Sequence, residues 1–253
     1  MPLTGGKDSR LVLGLLYGSG LKVPCYTMKY AWHKGDEDDL TIPPRLASVL
    51  GLEYTQFDDV KVSDEQIAVF DSIDEKGLWP NTTLTLADTI LCRFQGHVII
   101  SGDICDQVGK CGLHQNVPES LAIPSFFQTK IHNTDNRVRK HIQDWIDDVR
   151  TSDEKVSIMD LFAIESRVGR WANETNMIYC NLGLVSLNIF NSRRIIYSWA
   201  SLSRKERRKA VIHKSVLKNV CPQLLDIPYE SAGIVERVSK SSWPFFYLAS
   251  MAK

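Results

Sequence analysis

Six consecutive residues near the start of the chain, Thr4 to Ser9, carry groups that suit a phosphate. They read Thr-Gly-Gly-Lys-Asp-Ser and lead into an apolar run with helical spacing. A glycine pair ahead of a helix directs several backbone N–H groups one way, and the helix dipole adds positive potential there. Thr4 and Ser9 add hydroxyl donors, and Lys7 adds a positive charge. The segment predicts an anion site, and the alternative is an ordinary helix start after a tight turn.

Acidic residues occur both inside this segment and in a second turn farther along the chain. Asp8 would repel a bare phosphate, so its position indicates a divalent cation between carboxylate and phosphate. Ser101, Gly102 and Asp103 follow an apolar run, and Asp106 comes three residues later. Because the carboxyl ends of parallel strands meet at one edge of a sheet, the two loops are predicted to face each other across a nucleotide and its metal. The alternative for the second loop is an acidic surface turn.

The elements that must position these loops alternate over the first part of the chain. The pattern predicts strands at 22–30, 53–60 and 97–103, and helices at 8–17, 35–51, 64–77 and 83–96. This alternation is typical of a parallel sheet covered on both faces. The remainder reads as an irregular segment at 113–130 followed by helices at 136–150, 156–179 and 203–220. We therefore expect a nucleotide-binding α/β core over 1–112 and a mostly helical substrate-side region over 113–253, packed on the same domain.

Composition limits the classes of function. Lys plus Arg equals Asp plus Glu at 30 each, which argues against a nucleic-acid partner held by bulk charge. No apolar run reaches the roughly 18–20 residues that span a bilayer, so no membrane partner is expected. The cysteines are scattered without a CxxC pair, and the histidines show no metal-ligand spacing. These features predict a cytoplasmic protein with reduced thiols, since the start reads as a glycine-rich loop rather than a secretory leader.

The two loop motifs resemble those of a known family. "LTGGKDSR" is similar to the SGGxDS pyrophosphate loop of the PP-loop ATP pyrophosphatases, with Thr4 in place of the usual serine. "SGDICDQVG" resembles the SGExxDExxG segment of the asparagine synthetase-like branch, with Asp103 and Gln107 in place of the two glutamates. Weaker similarity extends through "DEDDLTIPPRLASVLGLEYTQF", "FAIESRVGRW" and "LLDIPYES".

The resemblance implies an adenine-nucleotide α-hydrolase-like parallel sheet and an AMP-forming amide ligase that uses ATP and Mg²⁺. A substrate carboxylate, on a small molecule or a peptide, would attack the α-phosphate of ATP, and ammonia or an amine would then displace AMP. Asp8 and Asp106 would act in catalysis as ligands of Mg²⁺. The adenine pocket would include Leu3, Thr27 and Met28. The phosphates would contact the two loops, namely Thr4, Gly5, Gly6, Lys7, Asp8, Ser9, Ser101, Gly102 and Asp103.

The source of the nitrogen nucleophile and the general base stay open at this stage. Because no glutamine-hydrolysing domain precedes the loop, the nucleophile would come from a separate amidotransferase or from an amine of the substrate or a partner protein. Glu165 and Tyr179 are candidates for the general base. The alternative for Glu165 is a salt bridge on its helix, and the alternative for Tyr179 is a buried ring with a hydrogen-bonded hydroxyl. A tRNA-modifying PP-loop enzyme and a non-catalytic relative are the alternative functions.

Two further expectations concern the start of the chain and its most basic run. The family has a buried strand directly before the loop, whereas only Met1–Leu3 precede it here, so we expect a fragment of a longer protein. The basic run "SRKERRK" at 203–209 is interpreted as a solvated helix face, because the total charge is balanced.

Overall fold

The chain folds into helices around short parallel strands, as a computed structural model shows. The structure describes residues 1–29, 38–58, 64–73, 93–94, 96–109, 117–131, 133–152, 157–181 and 183–229. The strands are β1 (Cys25–Met28), β2 (Tyr54–Phe57), β3 (Val98–Ser101) and β4 (Val185–Asn188). The α-helices are α1 (Lys7–Gly18), α2 (Asp38–Val49), α3 (Asp64–Ile73), α4 (Pro124–Lys130), α5 (Asn136–Thr151), α6 (Ile158–Ala163), α7 (Asn173–Asn181), α8 (Arg193–Ala200), α9 (Arg204–Arg208) and α10 (Val211–Val220). The fold is thus α/β and mostly helical, as the sequence predicted at this coarse level.

The strands pair into two small parallel sheets. Strand β1 pairs with β2 in the register Cys25↔Tyr54, and β3 pairs with β4 in the register Val98↔Val185. All four residues of β1 are buried, which suits the continuous apolar character of a parallel strand. None of the helices in the described ranges combines the length and the apolar character that a membrane crossing requires.

The residues ahead of the glycine loop lie alongside β1. Pro2 forms a parallel bridge with Tyr26. The N–H of Leu3 donates to the carbonyl of Tyr26 at 2.8 Å, and the N–H of Tyr26 donates to the carbonyl of Met1 at 3.0 Å. These three residues therefore pair with the edge of β1.

Helix α1 connects the loop to the largest hydrophobic cluster. Its buried face packs against α10 and the short 3₁₀ turn Pro222–Leu225 that follows α10. Gly14 permits this approach, because a Cβ at that position would lie 2.3 Å from Cδ2 of Leu217. The start of the chain and its residues beyond 210 consequently share one core.

Three predictions for the second half are wrong in detail. The helix predicted at 203–220 is broken into α9 and α10, because Ala210 adopts a left-handed conformation with φ of 51°. The segment predicted as irregular at 113–130 contains α4, which begins at Pro124 with its favourable fixed φ. Strand β4 and helix α8 were not anticipated. The helix predicted at 156–179 forms instead as α6, a π-helical stretch over Ile164–Ala172, and α7.

Candidate nucleotide site

The two loops singled out from the sequence touch each other. Gly102, directly after β3, lies against the first turn of α1. A Cβ at Gly102 would stand 2.8 Å from Cγ2 of Val12 and 3.4 Å from the carbonyl oxygen of Asp8. The absence of a side chain at Gly102 is therefore what allows the turn after β3 to reach the beginning of α1.

Hydrogen bonds within the glycine loop hold its hydroxyl groups together. The Oγ1 of Thr4 and the Oγ of Ser9 lie 3.1 Å apart, and the N–H of Thr4 donates to the Oγ of Ser9 at 3.1 Å. The N–H of Gly6 donates to Oγ1 of Thr4 at 3.2 Å. Gly6 is the N-cap of α1 and provides no side-chain cap, so the first N–H groups of the helix point out of its end. The loop is a closed turn that presents helix N–H groups beside two hydroxyls.

A carboxylate on α2 accepts a hydrogen bond from one of the N–H groups that we expected to bind phosphate. The N–H of Gly5 donates to Oδ1 of Asp39 at 2.7 Å. Gly5 is pressed against the same helix, since a Cβ there would lie 2.9 Å from the carbonyl oxygen of Asp38. A phosphate oxygen could use the Gly5 N–H only after replacing Asp39, whose negative charge opposes the approach of an anion.

The carboxylate of Asp8 lies next to a histidine and a cysteine from distant parts of the chain. Its Oδ1 is 2.8 Å from Nε2 of His213, on α10. The sulfur of Cys105 completes a group in which one ligand atom of each residue lies within 4.8 Å of the others. His213 and Cys105 are fully buried, whereas the side chain of Asp8 remains 20% exposed. Asp8 therefore borders both the protein interior and the surface of the loop.

The acidic turn after β3 carries a second carboxylate, that of Asp103. The hydroxyl of Ser101 donates to Oδ2 of Asp103 at 3.0 Å. Asp103 and Ser101 are half-buried. Asp106 belongs to the π-helical turn Cys105–Gly109, but its side chain lies outside the part of the chain that the structure describes.

A buried arginine fastens the C-terminal end of the described chain to the loop. The guanidinium of Arg10 donates to the carbonyl oxygens of Ile227 at 2.6 Å and Pro228 at 2.8 Å. The Cζ atom of Arg10 lies 4.0 Å from the ring centroid of Tyr229, and the Nζ atom of Lys7 lies 5.9 Å from the same centroid. Burial raises the pKa of the Tyr229 hydroxyl, although the nearby Arg10 cation opposes that shift. The aromatic ring of Tyr229 thus lies beside the cations of the loop helix.

The three residues expected at the adenine ring lie in the interior. The Oγ1 of Thr27 donates to the carbonyl oxygen of Leu3 at 2.6 Å. Met28 is buried in a small cluster that also contains Tyr179. Leu3, Thr27 and Met28 therefore line the junction between β1 and the loop, and their contact with adenine stays a prediction.

Comparison with known proteins assigns no family. No protein-family model matches the chain, and no curated protein matches it. The functional argument therefore depends on the geometry of the two loops and on the resemblance of their motifs.

The two general-base candidates occupy different settings. Glu165 is exposed and accepts a hydrogen bond from Nε1 of Trp145 at 2.9 Å. Tyr179 is a buried core residue in the cluster around Met28 and Phe57. Glu165 thus contacts α5 and Tyr179 packs beside β1 and β2, and a role for either as general base stays a prediction.

The prediction that 203–209 is a solvated face is wrong for Arg207. This residue is buried, pairs with the buried carboxylate of Asp160, and donates to the carbonyl oxygen of Val108 at 3.1 Å. A basic run with no apolar spacing gives no signal that one of its members points inward. Arg207 thereby holds the π-helical turn that carries Cys105.

Sequence reasoning also missed Asp39, Cys105 and His213 as neighbours of the loop. Asp39 lies in the first turn of α2. His213 lies 205 positions from Asp8, so no local spacing could have connected them. Only the packing of α1 on α10 brings these groups together.

Proposed function

We propose that the chain binds ATP between the glycine loop and the turn after β3, and forms amides through an acyl-adenylate. The observation that carries this proposal is the contact of Gly102 with the first turn of α1. Gly102 touches the turn that carries Asp8, and in the resembling family the two matching loops hold pyrophosphate and its metal. A PP-loop type of sheet would provide the same arrangement.

Hydrogen-bond donors at the loop suit the charge that this reaction develops. When a substrate carboxylate oxygen attacks the α-phosphorus, the bond to the bridging oxygen breaks and pyrophosphate leaves with the electron pair. The N–H groups at the start of α1, the hydroxyls of Thr4 and Ser9, and the ammonium of Lys7 would stabilise that growing negative charge. Ammonia or an amine then attacks the acyl carbon, and the carbon–oxygen bond to AMP breaks.

The carboxylates near the loop fit Mg²⁺ by their chemistry. Mg²⁺ prefers oxygen ligands, and it usually binds one or two carboxylates together with substrate phosphates. Asp8 and Asp103 offer such oxygens, and the resemblance adds Asp106. When bound, Mg²⁺ would neutralise phosphate charge on the departing pyrophosphate.

ATP–pyrophosphate exchange tests the proposal. The full chain would be assayed with Mg²⁺ and a panel of carboxylic acids that includes amino acids and short peptides. We expect exchange that requires an acid, falls by more than about 100-fold in Asp8→Asn, and is unchanged in Asp148→Asn, an exposed aspartate on α5. Binding of ATP by the folded chain without exchange for any acid would contradict the ligase proposal and favour a non-catalytic nucleotide-binding protein.

Hydroxylamine provides a second readout that does not depend on the natural amine. It would attack the acyl-adenylate and form a hydroxamate while AMP is released. We expect hydroxamate and AMP in equal amounts for the acid that supports exchange. Release of ADP and phosphate instead would contradict attack at the α-phosphorus.

A further inference from the structure

We propose that Asp8, Cys105 and His213 form a binding site for a borderline divalent cation of the Zn²⁺ class. The three residues offer a carboxylate oxygen, a thiolate sulfur and an imidazole nitrogen. One such atom of each lies within 4.8 Å of the other two. Tetrahedral bonds of about 2.0–2.3 Å separate ligand atoms by about 3.3–3.8 Å. The Asp8 and His213 atoms, which are 2.8 Å apart, would therefore separate slightly to admit the ion between them and the sulfur of Cys105.

The donor set selects the kind of cation. Zn²⁺ accepts sulfur, nitrogen and oxygen ligands in one tetrahedral site, whereas Mg²⁺ prefers oxygen ligands in octahedral geometry. Three protein ligands leave a fourth position for water or another ligand. Cys105 and His213 therefore distinguish this site from the oxygen site proposed for Mg²⁺ at the same aspartate.

The three ligands come from elements that are packed firmly together. Asp8 is in the first turn of α1, His213 is on α10, and those two helices meet where Gly14 faces Leu217. Cys105 begins the π-helical turn that ends at Gly109. The ligand positions are thus fixed before any ion binds, which lowers the cost of assembling a metal site.

The turn that carries Cys105 is held against His213 from two sides. A Cβ at Gly109 would lie 3.1 Å from Cε1 of His213, so the backbone of the turn packs directly on the imidazole. The guanidinium of Arg207 donates to the carbonyl of Val108 in the same turn. This support keeps the cysteine beside the imidazole.

The buried histidine has a polar atom that the protein does not satisfy. His213 is fully buried, and among the described residues its Nδ1 has no hydrogen-bond partner. The other ring nitrogen, Nε2, faces Asp8 at 2.8 Å and is the one assigned to the ion. Binding through Nε2 would leave the imidazole proton on Nδ1, so the ion would fix the tautomer of this buried ring.

The site has a consequence that rests on the proposed function. Asp8 cannot serve two cations at once, so Zn²⁺ at the Asp8–Cys105–His213 group would remove the carboxylate proposed to hold Mg²⁺. Zn²⁺ would then inhibit any reaction at the loop in competition with Mg²⁺. The binding experiment itself needs no nucleotide.

Co²⁺ is the probe, because it takes the geometry of Zn²⁺ and reports its ligands by absorption. Metal-free, reduced full-length chain would be titrated with Co²⁺ under argon. We expect one equivalent to produce a thiolate-to-Co²⁺ charge-transfer band in the near ultraviolet, and one equivalent of Zn²⁺ to remove it. Cys105→Ser should lose the band, whereas Cys221→Ser, which changes another buried cysteine, should keep it. Absence of the band in the folded wild-type chain would overturn the proposal.

Asp8→Asn keeps the size of a side chain that is 20% exposed, and circular dichroism would show that the variant is folded. It should retain the thiolate band but bind Co²⁺ at least tenfold more weakly, and Asp148→Asn should bind like wild type. A band that persists in folded Cys105→Ser, or unchanged affinity in Asp8→Asn, would refute the assignment of these ligands. The Co²⁺ titration contains no nucleotide. A wild-type chain that binds Co²⁺ as expected but catalyses no ATP–pyrophosphate exchange would therefore contradict the ligase proposal alone.

Discussion

The Oδ1 of Asp8 lies 2.8 Å from the Nε2 of His213, and this contact joins residues 205 positions apart. It links the first turn of α1 to the first turn of α10, and the two helices pack together through the main hydrophobic cluster. The aspartate that the sequence assigns to a phosphate loop is thereby also part of the contact between two helices. Its environment is set as much by α10 as by the loop itself.

Removing the charge of Asp39 should strengthen anion binding at the loop. Its carboxylate accepts a hydrogen bond from the Gly5 N–H at 2.7 Å, so it competes with a phosphate oxygen for that donor. We expect Asp39→Asn to bind pyrophosphate about threefold to tenfold more tightly than wild type, since a like charge a few ångströms away is lost. Isothermal titration calorimetry with pyrophosphate at low salt measures the change.

Asp64→Asn is the matched control for Asp39→Asn. It also removes an acidic side chain from the first turn of a helix, but this aspartate is exposed on α3. Its affinity for pyrophosphate should equal that of wild type. Equal or weaker binding by Asp39→Asn would show that the anion does not use the Gly5 N–H.

A side chain at Gly102 should separate the two loops. In Gly102→Ala the new Cβ meets Cγ2 of Val12 at 2.8 Å, and Val12 is a buried β-branched residue with little freedom to turn away. We expect a loss of about 1–3 kcal/mol in the free energy of unfolding, typical of overpacking. Urea denaturation measures it.

The same contact can be relieved from the other side. Gly102→Ala combined with Val12→Ala should be less destabilised than the sum of the two single changes, because the second creates room for the first. Gly169→Ala is a control, because among the described atoms its new Cβ comes no closer than 3.5 Å to any, the carbonyl oxygen of Ile164. Additive losses in the double variant would contradict the contact.

Breaking the buried pair of Arg207 and Asp160 should destabilise the fold strongly. Both side chains are nearly inaccessible, and removal of one partner leaves the other as an uncompensated buried charge. We expect Arg207→Ala to lose about 3–5 kcal/mol in the free energy of unfolding. The neighbouring exposed Arg208→Ala should change it by less than about 0.5 kcal/mol, and comparable losses for the two would contradict the assignment.

Alkaline conditions should weaken the fold through Cys25. Burial in β1 raises the pKa of its thiol to about 11 from an ordinary value of 9.0. Between these values the unfolded chain loses the proton while the folded chain keeps it, so stability present below pH 9 is lost as pH rises towards 11. The shift corresponds to about 3 kcal/mol when the thiol is fully ionised.

Urea denaturation at several pH values between 8 and 11 checks this prediction. Burial also raises the pKa of Cys221 and Tyr229, so wild type and variant both lose stability as pH rises. Cys25→Ala should show a shallower decline than wild type, whatever its stability at pH 8. The exposed Cys180→Ser should follow the wild-type curve, and parallel curves for all three proteins would contradict the role of Cys25.

Local signals were sufficient for α1, β1 and β2, whereas most of the helix predicted at 83–96 lies outside the described residues. Apolar spacing and a following glycine predict α1, and the β-rich runs predict β1 and β2 within a few residues of their observed bounds. Contacts between distant residues leave no such signal. Arg10 donates a hydrogen bond to the carbonyl oxygen of Ile227, which lies 217 positions later in the chain. The residue types around Arg10 and Ile227 give no indication of this contact.

The sequence also gave no indication of the break between α9 and α10 or of the pairing of β4 with β3. An alanine such as Ala210 does not indicate a left-handed conformation, because glycine or asparagine is the usual residue at positive φ. Strand β4 is four residues long and pairs with a strand more than eighty residues earlier, so only tertiary packing reveals it. The metal-type group around Asp8 depends on the same long-range packing, whereas the glycine loop and the acidic turn could be identified from residue types alone.

Hydrogen–deuterium exchange with ATP and Mg²⁺ tests most directly that the two loops form one nucleotide site. The full chain would be compared with and without nucleotide, at concentrations where equilibrium dialysis shows ATP bound. We expect amide exchange to slow both at Gly6–Ser9 and at Gly102–Cys105, with no change along α5. Protection of only one of these segments, or of neither while ATP is bound, would contradict a shared site.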